Sequence, residues 1–362
     1  MNCITFSFYK SYYYFIIFWI ASFLISFLIS SFDNKNKKSQ EYNRNEEVTK
    51  QIINLICQIT GDLLAGFLVL YTYLTSSNVI INEKESNIIK LNNKKPSKQI
   101  NRCTLILLVS IIEFSFRSIN PIFSLFYKRL EIGEFMWLFF VIVLSRIFFS
   151  GYLLNIKLKK HHFISLSLFL TGYFFMFILA FSAGDIHLEK WPYLSFTIIR
   201  YILQGLEDVL NKLLLTEKYL LPHLLMFLRG LYNSGMAIIF LIIMKCSGFE
   251  FVFSSVLSDN LLFFLFLIIV YFFYYLLTMQ VSYTFTPQHL SFLNIVYYMF
   301  QILIYRIIND YSLVIIICEA IDFLFMIFST LLFSEMIIIN KWGLNENTKR
   351  ELLIKEWPLY LL

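Results

Sequence analysis

Charge is scarce in this chain. Asp, Glu, Lys and Arg together make up 15% of 362 residues, against about a quarter in an ordinary soluble domain. So few charges cannot cover the two water-soluble domains that this length would otherwise suggest. Glycine is also sparse, at 11 residues, and no phosphate-cradling glycine loop, H-E-x-x-H helix or Ser/His/Asp constellation appears. The five cysteines, Cys3, Cys57, Cys103, Cys246 and Cys318, show no C-x-x-C spacing. Neither a disulfide framework nor a metal site is therefore expected, and no cofactor is called for. The net charge of +6 is small, and its lysines are scattered. The basic segment Lys84–Lys98 reads as a solvated loop, with contact to anionic lipid heads as its alternative, and nucleic-acid binding has no support.

What the chain does contain is apolar material, 58% of all residues, gathered in long blocks. Blocks of about 20 apolar residues match the hydrocarbon core of a bilayer. Ten can be drawn: Ser11–Phe32, Gln51–Ser76, Cys103–Tyr127, Glu134–Leu154, His162–Ala183, Pro192–Thr216, His223–Cys246, Asn260–Phe285, Ser291–Asp310 and Tyr311–Ile339. The first is longer than a signal-peptide core and lacks a clear cleavage site, so a retained helix is favoured. Gly61 and Ala65, four apart, form a small-xxx-small pair that lets a second helix approach. Polar loops follow at Asp33–Lys50 and Ser77–Arg102, and a tail at Asn340–Leu362. The 41 Phe and 23 Tyr read as lipid-facing or packing residues rather than as a stacking site.

The expected fold is all-α and polytopic, with an N-terminal five-helix half over 1–183, a C-terminal half over 192–339 and a tail over 340–362. Ten helices put both termini on one side. The loops of that side hold 15 Lys and Arg against 8 on the other, which predicts cytosolic termini. The fourth and fifth helices read as a tight hairpin, as do the ninth and tenth. Five helices per half would invert the second half relative to the first, a common carrier architecture with its substrate site between the halves.

Three stretches carry a family resemblance: SRIFFSGYLLNIKLKKHHFISLSLFLTGYFF, with its central Gly172; DVLNKLLLTEKYLLPHLLMFLRGLYNSG, with Glu217, Lys218, Leu220 and Gly230; and SEMIIINKWGLNENTKRE. The first two resemble the fourth and fifth helices and the sixth-to-seventh junction in the drug/metabolite transporter superfamily, which includes EamA-type and nucleotide-sugar carriers, and the third resembles the end of the tenth helix in some uncharacterised eukaryotic members of that group. The resemblance covers most of Gln51–Arg350. It implies two inverted five-helix halves, alternating access, a central cavity and, by analogy, an endomembrane location. The most recognisable nucleotide-sugar signatures are not present.

Charges inside apolar runs cost several kcal/mol and tend to face the bundle interior. The sixth helix is richest: Arg200, Gln204, Glu207, Asp208 and Lys212 fall mostly on one face, and the spacing allows an Asp208–Lys212 pair. That face either lines a cavity, or is structural or close to the membrane surface. Arg200 reads as the deepest of these charges. Arg146, Arg200 and Arg229 come from three helices. Two of them converging would suit an anionic substrate, because guanidinium grips carboxylate or phosphate in a planar fork. The alternative is separate pairing, for example Arg146 with Glu113. Arg117 lies four residues from Glu113 and is expected to pair there. Asp62, Glu319 and Asp322 are candidate proton-coupling carboxylates. Glu335 and Arg306 are expected to snorkel to water, and His161 and His162, beside three lysines, to be solvated.

These observations point to a secondary transporter of a small anionic or phosphorylated metabolite, not an enzyme. Its partners would be the bilayer, its substrate and a second copy in a homodimer. A membrane-embedded lipid-modifying enzyme is the main alternative and would require a buried His or Cys with acidic neighbours. A non-transporting scaffold or receptor would require a fully packed interior and unrelated halves.

Overall fold

Inside a bilayer an α-helix satisfies its own N–H and C=O groups without water, and long apolar runs with few breakers have little else available. A computed structural model describes residues 4–6, 13–14, 16–22, 24, 44–76, 101–126, 138–156, 158–182, 191–258, 260–308 and 311–339. After strand β1 (Ile4–Phe6) and helical residues 16–22 come α1 (Arg44–Ser76), α2 (Arg102–Phe126), α3 (Phe140–Leu154), α4 (Lys160–Ser182) and α5 (Trp191–Thr216). Then follow α6 (Pro222–Cys246), the short α7 (Phe253–Ser258), α8 (Leu261–Thr284), α9 (Pro287–Ile308), α10 (Leu313–Phe333) and strand β2 (Ile337–Ile339). The polar loop 77–100, the segment 183–190, the tail beyond 339, most of the first apolar run and the Arg306 side chain lie outside the described residues.

Three boundaries differ from expectation. α1 begins at Arg44, inside the stretch read as a loop, because Glu46 and Glu47 suit a helix N-terminus and Glu46 pairs with Lys50 at 2.7 Å. The tenth helix stops at Phe333, and the three isoleucines 337–339 form β2, antiparallel to β1 in the register Ile4 to Ile339. β-Branched residues fit that extended pairing. α7 was not expected at all.

Burial is reversed relative to a water-soluble protein. Leu262, Tyr152, Phe67 and Phe181 are 70% or more exposed, whereas Asp62, Arg146 and Asn233 are fully buried. Six helices, α1, α2, α4, α6, α8 and α10, are long and apolar enough to cross a membrane. An apolar outer surface with charges inside makes this a helical membrane protein. α3 is a shorter apolar helix, and α5 carries too many charges in any span-length window.

The helices do not pack in chain order. α1 lies against α6 and α8; α2 against α5 and α6; α3 against α5 and α9; α4 against α10; and α9 also against α10. The expected tight hairpin of the fourth and fifth helices is therefore not formed. α3 and α4 share side-chain contacts such as Phe140–Tyr173, but α4 is drawn to α10 by reciprocal hydrogen bonds: Ser165 Oγ donates to the Ser329 carbonyl at 2.7 Å, and Ser329 Oγ to that of Ser165 at 2.8 Å. The ninth and tenth helices do pack together. α1 is held closely on both sides by glycines. A Cβ at Gly61 would stand 3.0 Å from Phe272 N on α8, and one at Gly230 would stand 3.0 Å from Leu63 N.

Candidate functional site

The helices that meet in the interior bring their charges with them. Arg229 of α6, 1% exposed, donates through Nε to Glu113 Oε2 at 2.9 Å and through Nη1 to Glu207 Oε1 at 2.7 Å. Its Nη2 also pairs with Glu113 Oε1. Arg117 reaches Glu113 Oε1 at 2.5 Å and Asp62 Oδ2 at 2.8 Å, and lies 4.3 Å above the ring of Tyr275. Asn233 donates to Glu113 Oε2 at 2.8 Å, and Asn211 to Glu207. At the next position of α5, Arg146 binds Asp208 through Nε at 2.7 Å and through Nη2, and donates through Nη1 to Ser291 Oγ at 3.0 Å. The network thus ties together α1, α2, α3, α5, α6 and α9.

A close approach of α3 and α5 makes room for this. Gly205 faces Ser145 and the Arg146 backbone, and a Cβ there would overlap Ser145 Oγ. Glu207 and Asp208, side by side on α5, then take different partners, Arg229 for one and Arg146 for the other. Buried ion pairs of this kind cost desolvation and are retained only where hydrogen bonds satisfy the remaining lone pairs. Here they largely do, but Asp62 Oδ1, Asn211 Oδ1 and Asn233 Oδ1 are buried without a hydrogen-bond partner.

No family model matches the chain, and no curated protein matches it.

Several expectations are corrected by the site's geometry. Arg146 pairs with Asp208, not Glu113; a partner sixty-two residues away on another helix cannot be read from spacing. Lys212 does not pair with Asp208 but donates to the Tyr283 carbonyl at 2.7 Å. Arg146 and Arg229 are held by protein carboxylates, so they do not converge as open anion-binding groups. Arg200 is not the deepest charge. It is half-buried one turn from half-buried Gln204, and donates through Nη1 to Asn120 Oδ1 at 2.8 Å. Its Nε, however, is buried without a hydrogen-bond partner.

The three candidate coupling acids are not together either. Asp62 belongs to the network, while Glu319 and Asp322, each 3% exposed, lie on α10 against α4 and α9. Asp322 abuts Gly172, and its Oδ2 is buried without a hydrogen-bond partner.

Two features went unread in the sequence. Ser291 and Gln288 present one face of α9, and Gln288, 1% exposed, has neither amide atom hydrogen-bonded. Second, His161 is not solvated: it is 4% exposed, 3.3 Å from Glu335 Oε1. Glu335 does not snorkel and is 6% exposed. Adjacent lysines suggested a wet turn, and Lys160 is exposed, but the packing of α4 on α10 buries His161. Among the described residues the cysteines are free, and Cys57 is buried.

Proposed function

We propose that this chain is a secondary carrier of a small anionic metabolite, working by alternating access between two five-helix halves. The observation that carries the proposal is the buried charge network together with the buried polar atoms it leaves unmet. Ionisable groups within membrane-spanning bundles are expensive and mark substrate or ion paths by default. The arginines within the network are occupied, so the substrate-contacting cation is Arg200, with Gln204 beside it. A planar guanidinium with a spare donor suits a carboxylate or phosphate.

Helix contacts support the two-half arrangement. Three packed pairs, α1 with α6, α3 with α9 and α4 with α10, are the second with the seventh, the fourth with the ninth and the fifth with the tenth apolar run. Each pair would map onto itself under a two-fold relating the halves. Coupling follows from charge. Asp62, Glu113, Glu207 and Asp208 face Arg117, Arg146 and Arg229, four acids against three bases, and a proton or small cation balances the difference.

Uptake into proteoliposomes, with a panel of phosphorylated metabolites and nucleotide-sugars, tests the reading. Accumulation or exchange of at least one, lost in Arg200→Gln, is expected. Folded protein that moves none of them refutes it. One observation favours a second reading, a membrane-embedded lipid-modifying enzyme: the buried His161 beside Glu335 is the arrangement such an enzyme needs. Turnover of lipid substrates that His161→Ala abolishes, with uptake absent, would decide for it.

A further inference from the structure

One cluster of ligand-type side chains lies apart from the charge network. α4 opens at Lys160 and α10 closes at Phe333, and the packing of the two helices brings these ends together. His161 and His162 stand in the first turn of α4, and Glu335 in the turn after α10. One ring nitrogen of each histidine and one carboxylate oxygen of Glu335 all lie within 4.8 Å of one another. His161 is 4% exposed, and neither of its ring nitrogens has a hydrogen-bond partner, although Nε2 stands 3.3 Å from Glu335 Oε1. A buried imidazole that makes no hydrogen bond is a rare arrangement in a folded protein. It is resolved if a third party takes a lone pair.

The backbone around Glu335 fixes its direction. Met336 N–H reaches the Leu331 carbonyl at 3.0 Å and Glu335 N–H the Leu332 carbonyl at 3.2 Å, the double bond pattern that ends a helix with a left-handed residue. That residue is Glu335, with φ 59°. Glycine usually occupies this position; here a carboxylate stands in it and is turned back toward the start of α4.

We propose that His161, His162 and Glu335 form a zinc site at the shared end of α4 and α10. Two imidazole nitrogens and one carboxylate oxygen are a zinc ligand set, whereas magnesium and calcium take oxygen ligands. Bonds near 2.0–2.2 Å put tetrahedral ligand atoms about 3.4 Å apart, so the three atoms have to draw together by about an ångström to hold the ion. Three protein ligands leave a fourth position for water or for a substrate group.

Among the described residues, Lys159 competes with the ion at two of its ligands. The Lys159 ammonium stands 3.7 Å from Glu335 Oε1, but its side chain is 33% exposed and can turn into water. The Lys159 amide donates to His162 Nδ1 at 3.3 Å, a long bond. The His162 ring is stacked on Phe333 at 4.5 Å, and His289, the next imidazole, is engaged with Thr286. The metal would pin α4 to the end of α10 whether or not the chain carries a solute.

The test uses the full chain in nanodiscs, stripped by a chelator and titrated with zinc chloride by calorimetry, with thermal unfolding followed in parallel. One zinc per chain is expected, with an unfolding temperature raised by zinc and lowered again by the chelator. His161→Ala and Glu335→Gln should each weaken binding at least about tenfold, and Lys159→Ala should tighten it. Should His161→Ala not fold, Glu335→Gln, which keeps the side chain's shape and removes its charge, carries the comparison. The proposal is overturned if folded wild-type protein takes up no zinc, if its unfolding ignores zinc and chelator alike, or if Glu335→Gln binds as wild type does.

Discussion

Arg229 is the point at which the interior network can be tested most sharply. Its guanidinium joins Glu113 on α2 to Glu207 on α5, and it is 1% exposed. Arg229→Met keeps the apolar stem and removes the fork. Glu113 would still have Arg117 and Asn233, but Glu207 would lose its paired cation and keep Asn211 and the neighbouring Asp208 carboxyl. Removing one partner of a buried ion pair costs about 3–5 kcal/mol, because the remaining charge is stranded away from water. An ordinary interhelical hydrogen bond in a membrane protein averages about 0.6 kcal/mol. The two cases are far enough apart for reversible unfolding in mixed micelles, followed by tryptophan fluorescence, to separate them. Glu207→Gln on the Arg229→Met background neutralises the stranded carboxylate. It should restore stability, with a coupling between the two sites of about 1–3 kcal/mol. A loss below about 1 kcal/mol for Arg229→Met, or strictly additive effects in the double variant, would refute the account of a buried, mutually dependent network.

Other expectations follow from the same geometry. Gly205→Ala forces a methyl into Ser145 and should cost about 1–3 kcal/mol as overpacking; adding Ser145→Ala should return part of it in the same unfolding assay. Arg200→Gln should leave stability within about 0.5 kcal/mol, as half-buried groups outside a network do, yet abolish uptake of an anionic substrate by proteoliposomes. Asp322→Asn removes a buried carboxylate from an apolar helix and should leave stability unchanged or raised. If that acid carries the coupling proton, uptake measured across a pH series loses its pH dependence in this variant.

The amino-acid order alone was enough to locate the helices. Runs from Gln51 onward became α1–α6 and α8–α10 with small shifts, because in a low-dielectric setting a continuous apolar stretch has few backbone options besides the helix. It also placed Glu113 and Arg117 together, since four residues along one helix face are neighbours whatever surrounds them. The small residue Gly61 was legible as a close-approach site for the same local reason, though not that α8 would be what approached.

Partners across helices were decided only in three dimensions. Arg146 found Asp208, Lys212 turned to the Tyr283 carbonyl, and α4 left α3 for α10. Each choice depends on which helix faces which, and one-dimensional spacing contains no such information. The same limit hid His161. Beside three lysines it looked wet, and only the seating of α4 against the end of α10 put it next to Glu335, more than 170 residues later, out of reach of solvent. Local chemistry fixes what each segment becomes, because backbone hydrogen bonding is satisfied within the segment. Which charges neutralise one another is settled by the distant surfaces that exclude water around them.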